Sequence, residues 1–180
     1  MVYVALLRGI NVGGNNKIDM KTLKKTFESV GMSNVVTYIN SGNIIFTCPN
    51  HSRAELPRIL EEAITADFGL QIRVMVRSIE DLTIIMQSLP DSWTNDQSMK
   101  SDVLFLWDDI NEASVLEQLT IKPDIEKVLF VPGAILWSVD KENVTRSGMV
   151  KLVGSSIYKH MTIRNVNTTR KIYGLMQAAL

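Results

Sequence analysis

Ten residues near the start of the chain, Arg8 to Lys17, combine two cations with glycines and side-chain amides. The segment reads Arg-Gly-Ile-Asn-Val-Gly-Gly-Asn-Asn-Lys and follows an unbroken apolar run, residues 2–7, that is typical of a buried strand. Glycines allow backbone N–H groups to approach a ligand, and such groups beside cations suit an anion. The residue types therefore predict an anion-binding loop.

A second polar segment, residues 40–43, has the composition of a hairpin turn and joins two β-rich runs, residues 35–39 and 44–48. In a βαββ arrangement the loop after the first strand and this hairpin lie at the same end of the sheet. We therefore expect both segments to form one ligand-binding site. Its predicted residues are Arg8, Asn11, Gly13, Gly14, Asn16, Lys17, Ser41 and Asn43.

The leading functional hypothesis is a site for a phosphate-bearing small molecule, such as a nucleotide. Arg8 and Lys17 would hold phosphate charge, and the backbone of Gly13 and Gly14 would approach the ligand. A structural interpretation stays open beside it, in which the glycines supply positive φ angles and the asparagines bond the loop to itself. The residues specify neither a reaction nor a cofactor, so binding and catalysis both stay open.

A second anion site is predicted in the C-terminal part of the chain. The loop 140–148 and the end of a short strand, 161–164, are expected at the same end of a second sheet, beside helix N-termini whose dipoles favour anions. Ordinary helix initiation is the alternative explanation for the polar residues after that strand. The residues predicted for this site are Arg146, Ser147, Arg164, Asn165 and Thr168.

Charge is distributed unevenly although the net charge is zero. Residues 80–126 carry 11 acids and 2 bases, whereas residues 141–180 carry 7 bases and one acid. Solvated faces are the common meaning of such asymmetry. The basic stretch also supports a second functional hypothesis, contact with nucleic acid, which ranks below the small-molecule site because aromatic residues are few there. A structural or interaction protein without catalysis is the third.

The composition is that of an ordinary globular protein, with 46% hydrophobic and 21% charged residues. The single cysteine, Cys48, excludes an internal disulfide and agrees with a reducing compartment. No apolar run approaches the length needed to span a bilayer, and no signal peptide opens the sequence. These features predict a cytoplasmic protein without a membrane partner.

Periodicity predicts the element order βαββαβ twice, followed by a terminal helix. The predicted fold class is therefore α+β, with two tandem ferredoxin-like subdomains. The first comprises residues 1–77, a connecting helix and linker occupy 78–100, and the second subdomain with its terminal helix comprises 101–180. Helices are expected around residues 115–119 and 149–158, and residues 71–77 alternate as in a half-exposed strand.

Other chemistries find little support in the sequence. The glycine loop lacks the Walker A and Rossmann spacings. Cys48 and His51 make only half a metal site, so no metal is predicted. Neither histidine has a carboxylate near it in sequence, which leaves a Ser-His-Asp triad without support. Sheet-stacking RNA recognition is disfavoured because the third strand carries one aromatic residue, Phe46.

Three stretches resemble motifs of DUF1697, a family of unknown function. The first is Tyr3-Val4-Ala5-Leu6-Leu7-Arg8-Gly9-Ile10-Asn11-Val12-Gly13-Gly14, continued by Asn16-Lys17-Ile18. The second is Thr37-Tyr38-Ile39-Asn40-Ser41-Gly42-Asn43 with Phe46. The third consists of Thr162, Arg164, Asn165, Asn167 and Thr168, and Ile163 and Val166 depart from its pattern. The resemblance covers nearly the whole chain, and it implies more about fold than function because the family has no established activity.

Overall fold

The computed structural model describes residues 1–180 and contains two compact units. Unit 1 comprises Met1–Leu82 and Ile172–Leu180, and unit 2 comprises Thr83–Lys171. The architecture is mixed α+β, with two four-stranded antiparallel sheets and a C-terminal helix. None of the helices is both long and apolar enough to cross a membrane.

The sheet of unit 1 has the strand order β2-β3-β1-β4, in which β1 pairs with both β3 and β4. Its strands are β1 (Val2–Leu7), β2 (Ser33–Tyr38), β3 (Asn43–Thr47) and β4 (Val74–Ser78). The helices of this part of the chain are α1 (Met20–Ser29), α2 (Leu56–Phe68) and α3 (Ile79–Ser88). Since β1 and β2 both run antiparallel to β3, they run parallel to each other. The segments that follow β1 and β2 therefore leave the sheet at the same end.

Local signals define where these elements begin. The Asp19 carboxylate accepts the Thr22 backbone N–H at 2.9 Å and caps α1. Ser78 and Asp81 form a reciprocal capping box at the start of α3, in which each side chain accepts the other's backbone N–H. The central strand β1 is buried along its whole length, as its unbroken apolar sequence predicts.

The fourth strand differs from its prediction. It begins at Val74 and every one of its residues is buried, so the predicted half-exposed alternation is wrong within the strand and holds only for residues 71–73, which precede it. Helix α2 packs against β4 and covers one face of this edge strand. On the strand itself the buried Arg77 donates from Nη1 to the Val76 carbonyl at 2.9 Å.

Unit 2 repeats the strand order of unit 1 as β6-β7-β5-β8. Its strands are β5 (Met99–Leu106), β6 (Glu126–Val131), β7 (Ala134–Asp140) and β8 (Met161–Asn165), and α4 (Val166–Ala178) follows directly. The same register recurs as well, because Arg77 pairs with Val4 and Arg164 pairs with Val103. Both arginines are buried, and each donates Nη1 to the carbonyl of the residue before it at 2.9 Å.

The two helices predicted within unit 2 are wrong. Residues Ala113–Gln118 form a 3₁₀ segment, and the region 149–158 contains only the short 3₁₀ segments Gly148–Lys151 and Tyr158–His160. Gly154 and the two serines after it lower the helix propensity of that stretch, and serine side chains compete for backbone groups. Ser155, for example, donates its hydroxyl to the Leu152 carbonyl at 2.6 Å.

Candidate functional site

The loop after β1 is a small exposed hairpin. Asn15 N–H donates to the Val12 carbonyl at 2.9 Å, and the two residues between them, Gly13 and Gly14, have φ angles of 57° and 79°. Two successive positive φ angles are the mark of a type I′ hairpin turn, which glycine adopts without steric cost. A second backbone bond, Asn11 N–H to the Asn16 carbonyl at 3.1 Å, extends this hairpin.

The asparagine side chains of this loop are engaged within the protein. Asn11 donates Nδ2 to the Asn40 carbonyl at 2.8 Å and accepts the Ile18 N–H on Oδ1 at 2.9 Å. Asn16 donates Nδ2 to the Gly9 carbonyl at 2.9 Å. These bonds fix the shape of the loop, so the two amides have the structural role that the sequence left open as an alternative.

The Ser41 hairpin lies against the loop, as the strand directions predict. Leu7 N–H donates to the Gly42 carbonyl at 2.9 Å. Asn43 is fully buried and donates Nδ2 to the Tyr38 carbonyl at 2.9 Å and to Ser41 Oγ at 3.0 Å. A Cβ on Gly42 would lie 2.8 Å from the Leu7 side chain, which explains why only glycine fits this contact. Asn43 therefore shapes the hairpin from the inside.

The structure adds a cation that sequence reasoning missed. Strand β4 pairs with β1, and the pairing of Leu7 with Val74 continues as Arg8 N–H donates to the Arg73 carbonyl at 3.0 Å. Directly opposite residues of an antiparallel pair project to the same face of the sheet. Two arginines thus start side by side where the loop leaves the sheet, with Lys17 exposed on the same loop.

The structure divides the residues of the predicted C-terminal site. Ser147 lines a cavity together with Ile163, whereas Arg164, the next residue along β8, projects to the opposite face of the sheet. Asn165 Oδ1 accepts the Thr168 N–H at 2.9 Å, which is ordinary helix initiation at α4. Arg146 donates Nη1 to Asn143 Oδ1 at 3.1 Å. These residues do not form a single site.

Arg164 is a buried cation with polar contacts on its own strand. Its Nη1 donates to Thr162 Oγ1 and to the Ile163 carbonyl, both at 2.9 Å. Burial lowers the pKa of Arg164 to about 10, which leaves the guanidinium charged at neutral pH.

Glu126 is the centre of a buried network in unit 2 that no sequence motif indicated. Its Oε1 accepts Trp137 Nε1–H at 2.7 Å and the Ser147 hydroxyl at 2.6 Å. Its Oε2 accepts the backbone N–H groups of Gly148 and Lys122, both at 2.9 Å. Burial alone would raise the pKa of this carboxyl, but the four hydrogen bonds outweigh it and hold the pKa below its ordinary value.

A contact between a histidine and a carboxylate in unit 2 joins residues far apart in sequence. His160 Nδ1 lies against the Asp109 carboxylate, so a histidine that lacks an acidic neighbour in sequence has one in the fold. Cys48 is a buried free thiol. No three histidine, cysteine or acidic side chains are grouped so that they could hold a metal ion.

Comparison with known proteins identifies the family of this chain and a solved structure that is similar to it. The family described as "Protein of unknown function (DUF1697)" matches residues 1–137. A conserved bacterial protein from Streptococcus pneumoniae, whose structure has been determined, is 33% identical with a TM-score of 0.83, and the match covers 97% of this chain and 98% of that protein. No curated protein matches.

Proposed function

The chain belongs to the DUF1697 family of proteins of unknown function, and from that premise we propose that unit 1 binds a phosphate-bearing small molecule, such as a nucleotide. The binding site is the end of the first sheet where the Arg8–Lys17 loop meets the Ser41 hairpin.

The adjacent arginines carry this proposal. Arg8 and Arg73 lie opposite each other just beyond the paired ends of β1 and β4, where Arg8 N–H donates to the Arg73 carbonyl. A phosphate group bound between them would accept charge-assisted hydrogen bonds from both guanidinium groups. Lys17 supplies a third positive charge on the same loop.

The asparagines of the site hold the Arg8–Lys17 loop in one shape and so fix the positions from which its charges reach a ligand. Asn11, Asn16 and Asn43 bond to backbone groups of the protein, so the contacts that orient the ligand come from Ser41 and from the backbone N–H groups of Gly13 and Gly14 at the exposed turn. A loop that is already ordered loses little conformational freedom when a ligand binds, which favours affinity.

Nucleic-acid binding by the basic C-terminal stretch is the weaker candidate. Of its seven bases, Arg146 donates to Asn143, Arg164 is buried on β8, and Arg170 donates Nη2 to the Pro90 carbonyl at 3.0 Å. Three of the charges that would meet phosphates are therefore engaged within the protein, which weakens the nucleic-acid hypothesis.

We also infer that each unit is a ferredoxin-like domain and that the protein is cytoplasmic. Each unit has the strand order expected of a ferredoxin-like βαββαβ domain, although 3₁₀ segments replace the two helices of unit 2. A buried free thiol as the single cysteine suits the reducing conditions of the cytoplasm.

Calorimetric titration with pyrophosphate and with ATP tests the site. We expect Arg8→Ala and Arg73→Ala each to weaken binding about tenfold or more, because each removes a charge-assisted contact. Lys24→Ala is the matched control, since it removes an exposed lysine on α1 and should change binding less than twofold. Failure of the unmodified protein to bind either probe at millimolar concentration would refute the proposal. So would binding by both arginine variants as tight as that of the unmodified protein.

A further inference from the structure

Unit 2 contains a cavity of about 210 Å³ whose walls are mostly apolar. Strands of the second sheet form one side through Leu104, Trp137 and Ile163. Residues between β7 and β8 form the other side, among them Met149, Leu152 and Tyr158. An apolar cavity of about 150 Å³ is large enough to hold benzene, so this one accommodates a ring or branched chain with a short tail.

One corner of this cavity is charged. The Asp102 side chain is only 11% exposed, and its carboxylate accepts a hydrogen bond from Lys100 Nζ at 2.9 Å. The same ammonium lies 5.7 Å from the centre of the Trp137 ring, within the range of a cation–π contact. A carboxylate and an indole face thus converge on one ammonium group at the edge of an apolar space.

The indole is held in place from behind. Trp137 donates Nε1–H to the buried Glu126 carboxylate at 2.7 Å. Glu126 also accepts the hydroxyl of Ser147, which lines the cavity, so the same carboxylate fixes two parts of the wall. A site whose aromatic face is fixed in advance recognises a cation at little cost in side-chain ordering.

We propose that this cavity binds a small primary amine with an apolar body, whose ammonium takes the place of Lys100 between Asp102 and Trp137. Lys100 serves as the internal stand-in for that ligand. Its side chain is 35% exposed, three times more than that of Asp102, so it can turn toward solvent and yield its position. The apolar part of the ligand then fills the space against Leu104 and Ile163.

The charges favour an amine over an acid or a neutral molecule. A carboxylate ligand drawn to Lys100 would lie beside Asp102 and meet like-charge repulsion. A neutral molecule would leave the corner unchanged and gain only apolar contact. Burial raises the pKa of Asp102 although hydrogen bonding to Lys100 and the charge of Lys141 oppose the shift, which agrees with a carboxylate that lacks enough compensating charge.

Three probes of similar shape test the inference on the full-length protein at pH 7: phenethylamine, 2-phenylethanol and 3-phenylpropionate. Binding is followed by calorimetry and by the NMR signal of the Trp137 indole N–H. We expect the amine to bind about tenfold or more tightly than the alcohol or the acid. Lys100→Met should tighten amine binding severalfold because it removes the competing ammonium.

Two further variants separate the ligand site from general stability. Asp102→Asn should weaken amine binding about tenfold while leaving binding of the alcohol within twofold. Ile163→Phe should weaken all three probes because it fills the cavity from a partly exposed position. Tighter binding of the acid, weaker amine binding by Lys100→Met, or an unmoved Trp137 signal with every probe would overturn the inference.

Discussion

Replacing Glu126 with glutamine removes one acceptor from the buried hydrogen-bond network around this residue in unit 2. Glu126 is 4% exposed, and each of its carboxylate oxygens accepts two hydrogen bonds. Glutamine keeps one carbonyl oxygen but presents an NH₂ group where the second oxygen stood. Two donors then face this NH₂ group and lose their acceptor. They are either the side chains of Trp137 and Ser147 or the backbone N–H groups of Gly148 and Lys122.

The loss in free energy of unfolding follows from the number of hydrogen bonds to Glu126 that the substitution removes. A hydrogen bond to a charged group contributes about 1.5–3 kcal/mol, and a buried donor left without a partner adds a desolvation cost. Two such losses predict a destabilisation of about 3–6 kcal/mol for Glu126→Gln, which is a large part of the stability of a typical domain. Glu117→Gln, an exposed change in the same unit, should stay within about 0.5 kcal/mol.

The difference between the two proteins should also depend on pH. Hydrogen bonding depresses the folded-state pKa of Glu126, so its contribution is complete above the ordinary glutamate pKa and is lost as pH falls through the lower, folded-state value. Glutamine does not titrate. The stability gap between unmodified protein and Glu126→Gln should therefore be widest near neutral pH and narrow in acid.

Urea denaturation followed by tryptophan fluorescence measures this effect selectively. All three tryptophans, Trp93, Trp107 and Trp137, belong to unit 2, so the signal reports on the unit that contains Glu126. A free-energy change below about 1 kcal/mol for Glu126→Gln would refute the reasoning. So would a gap between the two proteins that is the same at pH 7 and pH 3.

Three further outcomes are expected. Gly148→Ala should destabilise unit 2 by about 2–3 kcal/mol or more in the same urea assay, because its Cβ would lie 1.8 Å from the Thr120 carbonyl oxygen. The control Gly154→Ala, whose nearest neighbour is 3.9 Å away, should cost less than about 0.5 kcal/mol. Equal destabilisation by the two alanine variants would contradict this prediction. Asn11→Ala should destabilise unit 1 by about 2–4 kcal/mol, because it removes the hydrogen bond to the Asn40 carbonyl and places alanine at a strained φ of 53°. Urea denaturation followed by circular dichroism measures this loss. A change below about 0.5 kcal/mol would contradict the prediction. Asp96 should titrate with a pKa of about 2 by NMR, since hydrogen bonds from the Ser98 backbone and side chain stabilise its charged form, and an ordinary value would rule out those bonds in solution.

The sequence by itself determined the features that depend on neighbours within a turn or two of chain. The buried strand β1, the Asp19 cap of α1 and the Ser78 cap of α3 follow from apolar runs and polar residues at fixed spacing. It also placed the Arg8–Lys17 loop beside the Ser41 hairpin, because strand direction is enough to assign two connections to one end of a sheet.

Tertiary structure alone decided which distant residues meet. Arg73 lies beside Arg8 through the pairing of β1 with β4, and Lys100 lies over the Trp137 ring through the pairing of β5 with β7. The four partners of Glu126 come from three separate segments, and their convergence depends on how 3₁₀ turns pack on the second sheet. Periodicity records which face of an element is apolar, but the register between strands is fixed only when whole faces pack, so these contacts carry no local signature in the sequence.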